Sequence, residues 1–299
     1  MPAKTLLFVA TVMFGTLSAG MGQNARLQVA TSFSLLEDLV RNVGADRVQV
    51  RSFVPRNGDA HSFEPGTQDV KTLSQSKVVF INGLGLEAWF EKLLSNAASN
   101  ASVIILSDGL KPRQLQEDGQ TIDDPHMWWD LTRTQAYVTR IAQALEKADP
   151  AGKGVYATNA KKYNAELIKL DAWAKLEVAT IPVGKRKLVT NHDALGYFAA
   201  HYGLSIIGQV IPSLGTEQAP SAKELANLSR TIKSEGITAI FVENTLNSKL
   251  AQTLASETGA SIAPPLYTDS LGTPGSSGET FIKAFRYNVK TIVKALKGK

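Results

Sequence analysis

Residues 151–178, AGKGVYATNAKKYNAELIKLDAWAKLEV, decide how the chain is organised. The stretch is rich in Ala, Lys, Glu and Leu and contains no proline, which predicts one helix of about 40 Å at 1.5 Å per residue. Pro150 stands directly before it and Pro182 shortly after it, and proline commonly marks where a helix begins or ends. We therefore expect a linking helix over residues 151–181 that separates two parts of the chain.

Short apolar runs alternate with amphipathic segments on both sides of this helix. Residues 78–81 (VVFI) and 103–106 (VIIL) are continuous apolar runs, which are typical of strands buried on both faces of a parallel sheet. The same alternation restarts at residues 187–190 after the linking helix. This pattern predicts an α/β fold with two similar lobes, each a parallel sheet flanked by helices. We place the lobes at residues 23–150 and 182–299.

Composition narrows the classes of protein further. The chain has 299 residues, of which 43% are hydrophobic and 20% charged, as in ordinary soluble globular proteins. Cysteine is absent, which excludes a disulfide scaffold, a thiolate zinc finger, an iron–sulfur protein and a cysteine nucleophile. The net charge of +5 is mild, and its densest cluster, residues 185–187, has no interleaved aromatic residues. We therefore expect no nucleic-acid binding.

The first 22 residues have the order of a secretory signal peptide. Lys4 gives a positive start, residues 6–17 are almost entirely apolar, and small residues follow at 18–22. About 12 apolar residues would span only ~18 Å of a ~30 Å hydrocarbon core, too little for a transmembrane anchor. No cysteine follows the apolar run, so we expect no lipid anchor either. These features predict a protein that is free in the periplasm.

The chain contains four histidines, His61, His126, His192 and His201. The first three lie close to an aspartate, in a loop or at the end of a predicted strand, where α/β proteins bind ligands. A neighbouring carboxylate can also hold one ring nitrogen, so that the other is presented to a metal. Equally, Asp124 before His126 could simply cap a helix. His201 lies within a predicted helix with no carboxylate nearby in sequence, so we expect a structural role for it.

Six segments together carry a family resemblance. They are GDAHSFEP (58–65), NGLGLEAW (82–89), DPHMWWD (124–130), HDALGYF (192–198), FVE (241–243) and YTDSLG (267–272). In this order they closely resemble the zinc- and manganese-binding substrate-binding proteins of ABC importers, the ZnuA/TroA-like cluster A-I family. The resemblance extends over essentially the whole mature chain. It implies two α/β lobes joined by one long backbone helix, with a metal in the cleft between the lobes.

The resemblance also implies the ligands of that metal. It assigns His61, His126 and His192 as three ligands and, through a Tyr-x-Asp-x-Leu motif, Asp269 as the fourth. Three further acidic residues lie within matching motifs and are expected to support the ligands: Asp124, Asp193 and Glu243. The alternative for the last of these is a helix cap or a salt bridge in a loop.

The donor set favours Zn²⁺ as the metal, with Mn²⁺ as the alternative. Three neutral imidazoles and one carboxylate suit zinc in four-coordinate geometry, whereas manganese prefers more oxygen donors. Manganese-preferring members of the family commonly have Glu where this chain has His192, yet some members with three His and one Asp take manganese. Many zinc binders carry a His-rich loop before the second ligand. Residues 111–123 contain no histidine here, so we expect no metal-gathering role for them.

The resemblance implies a binding protein and not an enzyme. Such a protein, expected to be a monomer, captures a divalent metal and hands it to an ABC permease driven by a cytoplasmic ATPase. Four protein ligands leave no open position for the activated water of a catalytic zinc site. A secreted zinc hydrolase is the alternative from a different class, although the sequence lacks His-Glu-x-x-His and Gly-x-Ser-x-Gly motifs. An adhesin of the same fold would need an anchor.

Overall fold

A computed structural model describes residues 26–117, 120–213, 215, 216 and 218–298. The predicted signal peptide, residues 1–22, lies outside the described residues. Among the described residues, every helix is too short or too polar to cross a lipid bilayer.

The chain alternates between strands and helices, as the sequence pattern predicts. The strands are β1 Leu27–Thr31, β2 Val48–Ser52, β3 Val78–Ile81, β4 Ser102–Ile105, β5 Gln114–Glu117, β6 Gln120–Asp123, β7 Lys187–Thr190, β8 Ser205–Gln209, β9 Ala239–Glu243 and β10 Ser261–Leu266. The helices are α1 Ser34–Gly44, α2 Thr67–Gln75, α3 Phe90–Asn96, α4 Leu131–Ala148, α5 Lys153–Ala179, α6 Gly196–Tyr202, α7 Ala222–Ser234, α8 Lys249–Thr258 and α9 Phe281–Lys297.

Two parallel sheets form the framework of the described part of the chain. The first has the strand order β2-β1-β3-β4 and the second β10-β9-β7-β8, while β5 and β6 form an antiparallel hairpin. Every residue of β3 and β9 is buried, because helices cover both faces of a parallel sheet. The predicted α/β class is therefore confirmed. We call the elements from β1 to α4 the first lobe and those from β7 to α9 the second lobe.

Helix α5 joins the two lobes. Its buried side chains recur every three or four residues and form one stripe: Tyr156, Ala160, Tyr163, Leu167, Leu170, Ala174 and Val178. This stripe packs against α1 and α4 of the first lobe and against α6 and α9 of the second. The observed helix begins and ends within two residues of the predicted span of residues 151–181. Pro150 opens a short 3₁₀ turn just before it.

Strand β10 and the β5–β6 hairpin are among the elements that the sequence patterns did not predict. Strand β10 contains Pro264 and Pro265, which normally argue against a strand. It lies at the edge of its sheet, and its pairing with β9 is irregular between Ala263 and Leu266, so the prolines are accommodated. The β5–β6 hairpin is the second such element, and it brings Arg113 to the edge of the cleft between the lobes.

Candidate metal centre

The four predicted ligands meet in the cleft between the lobes. His61 lies in the loop after β2, and His126 lies three residues after β6. His192 follows β7 by two residues, and Asp269 follows β10 by three. Three of the four thus follow the carboxyl end of a strand of a parallel sheet, the usual position of ligand sites in α/β sheets, whereas His126 follows the β5–β6 hairpin. One donor atom of each lies within 4.8 Å of the donor atoms of the others.

The distances between these atoms leave room for one ion in their midst. His126 Nε2 lies 3.3 Å from His61 Nε2, and Asp269 Oδ2 lies 3.0 Å from His192 Nε2. Asp269 Oδ2 is also 3.5 Å from His61 Nε2, and Oδ1 is 3.8 Å from His126 Nε2. His192 Nε2 and both Asp269 oxygens are buried and have no hydrogen-bond partner. Because burying such atoms unpaired is costly, the donor set fits a divalent cation held between them.

Asp124 holds the ring of His126. Its Oδ1 accepts the Nδ1–H at 2.8 Å and the backbone N–H of His126 at 3.0 Å. The carboxylate therefore fixes the tautomer that leaves Nε2 free for a metal. Burial opposes ionisation of Asp124, but hydrogen bonds from His126 and Arg113 outweigh it and lower its pKa. Asp124 therefore supports His126 as predicted, whereas the alternative of a helix cap does not hold, since the 3₁₀ turn at Met127–Trp129 has no side-chain cap.

Glu243 holds His192 in the same manner. Its Oε1 accepts the Nδ1–H at 2.8 Å and the backbone N–H at 3.0 Å, and its Oε2 accepts a hydrogen bond from Thr268. Glu243 ends β9, which neighbours β7 in the second sheet, so the strand order brings it beside His192. It acts as a partner of a candidate ligand and not as a helix cap.

Burial opposes the ionisation of His192 and Asp269, whereas the opposite charges beside each of them favour it. Burial disfavours the charged form of His192, but the charges of Glu243 and Asp269 outweigh it and hold the pKa of His192 well above its ordinary value. Burial also opposes ionisation of Asp269, yet His192 holds the pKa of Asp269 well below its ordinary value. The two shifts have one cause, the closeness of an imidazole to carboxylates in a buried site.

His61 is the ligand candidate nearest to solvent. Its side chain is 9% exposed, whereas those of His126, His192 and Asp269 are fully buried. It lines a cavity of about 600 Å³ that opens between the lobes. Asp59 fixes its loop by accepting hydrogen bonds from the His61 backbone N–H, at 2.9 Å, and from Thr216 of the second lobe. Of the four candidate ligands, His61 alone lines this cavity.

Asp193 is placed differently from the other two acidic candidates. Among the described contacts, its carboxylate pairs with Arg113, whose Nη1 lies 3.4 Å from Oδ1, and not with a candidate ligand. Burial raises the pKa of Asp193 against the opposing charge of Arg113. Sequence reasoning missed Arg113, since a single arginine after Pro112 forms no recognisable motif.

The tryptophans after His126 connect the two lobes. Trp128 is fully buried and Trp129 nearly so, so both side chains pack in the core. In addition, both indole N–H groups donate to the carbonyl oxygen of Thr268, at 3.1 and 3.0 Å. Thr268 directly precedes Asp269, so the turn that follows one candidate ligand fixes the loop of another. This contact was not predicted, because its two sides are far apart in sequence.

His201 has carboxylate partners in the fold, although none stands near it in sequence. Its Nε2 lies 2.7 Å from Asp171 of α5, and its Nδ1 lies 3.4 Å from Asp130, which caps α4. Both acids are distant in sequence and reach His201 only because α6 packs beside these helices. The expected structural role of His201 agrees with this position at the junction of three helices.

Comparison with known proteins gives the family. The family model of ZnuA, described as zinc-uptake complex component A periplasmic, matches residues 29–295. The manganese-binding lipoprotein MntA of Halalkalibacterium halodurans is 34% identical over 283 residues, which cover 94% of this chain and 91% of that protein.

Solved structures give the same result. The periplasmic zinc-binding protein TroA of Treponema pallidum matches with a TM-score of 0.85 and 26% identity, over 91% of this chain and 100% of TroA. The Mn-bound periplasmic metal-binding protein of Candidatus Liberibacter asiaticus matches with a TM-score of 0.81 and 28% identity, over 91% of this chain and 100% of that chain.

These matches bear on the class of function as well as on the fold. The family comprises substrate-binding components of ABC transporters and not enzymes, so the alternative of a secreted zinc hydrolase finds no support. The matched residues include both lobes, the linking helix and all four candidate ligands. The chain belongs to the ZnuA family of extracytoplasmic metal-binding, substrate-binding proteins of ABC transporters.

Proposed function

We propose that this protein captures Zn²⁺ between its lobes through His61, His126, His192 and Asp269 and delivers it to an ABC permease driven by a cytoplasmic ATPase. The observation that carries the proposal is the convergence of four donor atoms within 4.8 Å, two of which, His192 Nε2 and an Asp269 oxygen, are buried without a hydrogen-bond partner. A cation would satisfy these buried atoms, whose burial without a partner costs free energy. Two ligands from each lobe would make one ion the bridge between them.

Zinc is proposed over manganese on the chemistry of the donors. Three imidazole nitrogens and one carboxylate suit four-coordinate zinc, and the divalent affinity order places manganese well below zinc at such a site. Asp124 and Glu243 add to this preference, because a carboxylate on the far ring nitrogen makes an imidazole a stronger donor. TroA, named a zinc-binding protein, shares the fold.

Manganese is the second candidate because one observation favours it. Both oxygens of Asp269 lack a hydrogen-bond partner, so the carboxylate could bind in bidentate fashion and add the extra oxygen donor that manganese prefers. Two relatives point in the same direction, since MntA is named manganese-binding and the Liberibacter protein was solved with manganese.

The test is a titration of chelator-stripped protein with zinc and then manganese, by calorimetry with a competing chelator. We expect one zinc ion per chain, bound far more tightly than manganese. His192→Gln should abolish tight binding, while His201→Gln, a histidine outside the centre, should leave the titration unchanged. Comparable affinities for the two metals would favour the manganese candidate. Binding of neither metal would contradict the proposal.

The proposed location of the mature protein is the periplasm, after removal of residues 1–22, as a monomer without a lipid anchor. The extracytoplasmic role of the family supports the location, and the absence of cysteine in the printed sequence supports the free form. The relative MntA is named a lipoprotein, so the proposed free form differs from MntA in attachment. Osmotic shock of expressing cells should release the protein; recovery only with the membrane fraction would contradict the free form.

A further inference from the structure

The side chain of Arg113 crosses the cleft beside the metal centre. Arg113 belongs to the first lobe, where its Nη1 lies 2.6 Å from Asp124 Oδ2. The same nitrogen lies 3.4 Å from Oδ1 of Asp193, which belongs to the second lobe. One guanidinium therefore pairs with a carboxylate from each lobe. Each carboxylate stands next to a candidate ligand, since Asp124 holds His126 and Asp193 follows His192 in the chain.

The guanidinium lies against Gly196, which is the first residue of α6 in the second lobe. A Cβ atom built on Gly196 would overlap Nη1 and Cζ of Arg113. Gly196 is not among the residues with positive φ, so its backbone does not require glycine. The missing side chain at this position thus serves close approach between the lobes.

The backbone around Arg113 is tied to α6 as well. The Arg113 N–H donates to Oη of Tyr197 at 2.7 Å, and this hydroxyl donates to the carbonyl oxygen of Asp124 at 2.8 Å. The Asp124 N–H in turn donates to the Arg113 carbonyl oxygen at 2.8 Å. These bonds fix the backbone from which the side chain of Arg113 extends to the second lobe. The guanidinium therefore loses little conformational freedom when it contacts Gly196.

The contact of Arg113 with the two carboxylates is partly exposed to solvent. The Arg113 side chain is 28% exposed, whereas Asp124 is fully buried and Asp193 is 10% exposed. Water can therefore reach the arginine, while separation of the lobes would leave Asp193 without this partner. By contrast, the contact of Trp128 and Trp129 with Thr268 is fully buried on both sides. The arginine contact is thus the one of the two that is better suited to break and reform.

We propose that Arg113 is an interlobe latch: its guanidinium contacts Gly196 and Asp193, and this contact sets how fast the bound metal leaves. The inference rests on the proposed function, because an ion held by two ligands from each lobe leaves only when the lobes part. The latch has to break before that motion, so it slows release while the ion is bound. Arg113 acts through position and does not touch the ion.

The test is the rate of zinc release from the loaded full chain into excess chelator, followed by stopped flow. Loss of one partner of a largely buried charge pair acts mainly on dissociation, so we expect Arg113→Ala to speed release by about tenfold, with little change in the association rate. Gly196→Ala should do the same, because it displaces the guanidinium and leaves its charge in place. The double variant should release no faster than either single variant, since both remove one contact.

Two matched controls separate the latch from general damage. Gly154→Ala adds a Cβ where nothing lies within 4 Å, and Arg41→Ala removes a guanidinium that pairs with Glu37 inside the first lobe. Both should release zinc at the wild-type rate, and thermal melting of each metal-free variant checks that it is folded. Wild-type release from Arg113→Ala and Gly196→Ala, or a double effect equal to the product of the single effects, would overturn the latch alone. Failure of the wild-type chain to bind zinc would instead overturn the proposed function, and the latch with it.

Discussion

His192 stands between two negative groups, and this sets the chemistry of metal capture. Glu243 holds its Nδ1, and Asp269 Oδ2 lies 3.0 Å from its Nε2. Burial lowers the pKa of an imidazole, but here the two carboxylates outweigh burial and raise the pKa of His192 well above its ordinary value. The raised pKa therefore favours a proton on His192 in the metal-free centre. An arriving ion has to displace this proton before Nε2 can coordinate it.

Zinc binding should accordingly release about one proton from His192 at pH 7, and zinc affinity should fall as the pH is lowered. Glu243→Gln removes one of the two negative charges, so it should lower the pKa of His192 and reduce proton release. Glu235→Gln, which removes the partner of Lys187 at the surface, is the control and should change neither. The measurement is calorimetry of zinc binding in buffers with different ionisation enthalpies. Equal heats in all buffers, or an affinity unchanged between pH 7 and pH 5, would contradict this account.

The sequence predicted the donors at this scale but not all of their partners. Asp124 is two residues from His126, so local spacing was enough to suggest the pair. Glu243 is 51 residues from His192, and only a motif resemblance suggested it, because the strand order that makes them neighbours is a tertiary property. Arg113 and Thr268 carried no signal, since their partners in the centre lie in the other lobe or far along the chain.

Helix α9 shows how an element of the second lobe is fixed to the first. The backbone N–H of Phe281, the first residue of α9, donates to Asp38 Oδ2 of α1 at 3.0 Å. Burial raises the pKa of Asp38 to about 6, against the opposing effects of the Phe281 amide and the charge of Arg56. The helix is thus held by a carboxyl group that keeps its proton to higher pH in the folded chain than in the unfolded chain.

This shift predicts how stability depends on pH. Between about pH 4 and pH 6, folded Asp38 keeps a proton that unfolded Asp38 has lost, so its contribution to stability falls by about 3 kcal/mol as the pH rises through this window. Asp38→Asn removes this titration. The unfolding free energy of the metal-free variant should therefore rise relative to that of the wild type between pH 4 and pH 7. Urea unfolding at several pH values measures the difference. A difference independent of pH would contradict the prediction, and Asp46→Asn, on the surface, should show none.

The success of prediction also varied among the elements. Helix α5 was located to within two residues, because its buried stripe is continuous and proline stands only outside its ends. Strands such as β3, which is buried at every position, were predicted equally well. Strand β10 was missed because its two prolines are tolerated only at a sheet edge, and edge position is decided by the rest of the sheet.

At the scale of the whole molecule, the two lobes are held by permanent and by conditional contacts. The buried side of α5 and the indoles of Trp128 and Trp129 connect the lobes irrespective of metal. The four candidate ligands, two from each lobe, would add a connection through a bound ion. Alternation of strand and helix predicted that there are two lobes. It could not predict their closeness, which depends on side chains such as Arg113 that meet across the cleft.

A metal that bridges the lobes should raise the melting temperature of the whole chain. Zinc at about 100 times its Kd stabilises a folded state that alone binds it by about 2.7 kcal/mol, which corresponds to a rise of about 4–5 °C for a chain of this size. Asp269→Ala removes one second-lobe ligand and should abolish most of the rise, whereas His201→Gln should keep it. Calorimetric scans with and without zinc measure both. If zinc binds tightly but stabilises only part of the unfolding transition, the ion is held within one lobe, and His192 and Asp269 do not share it with His61 and His126.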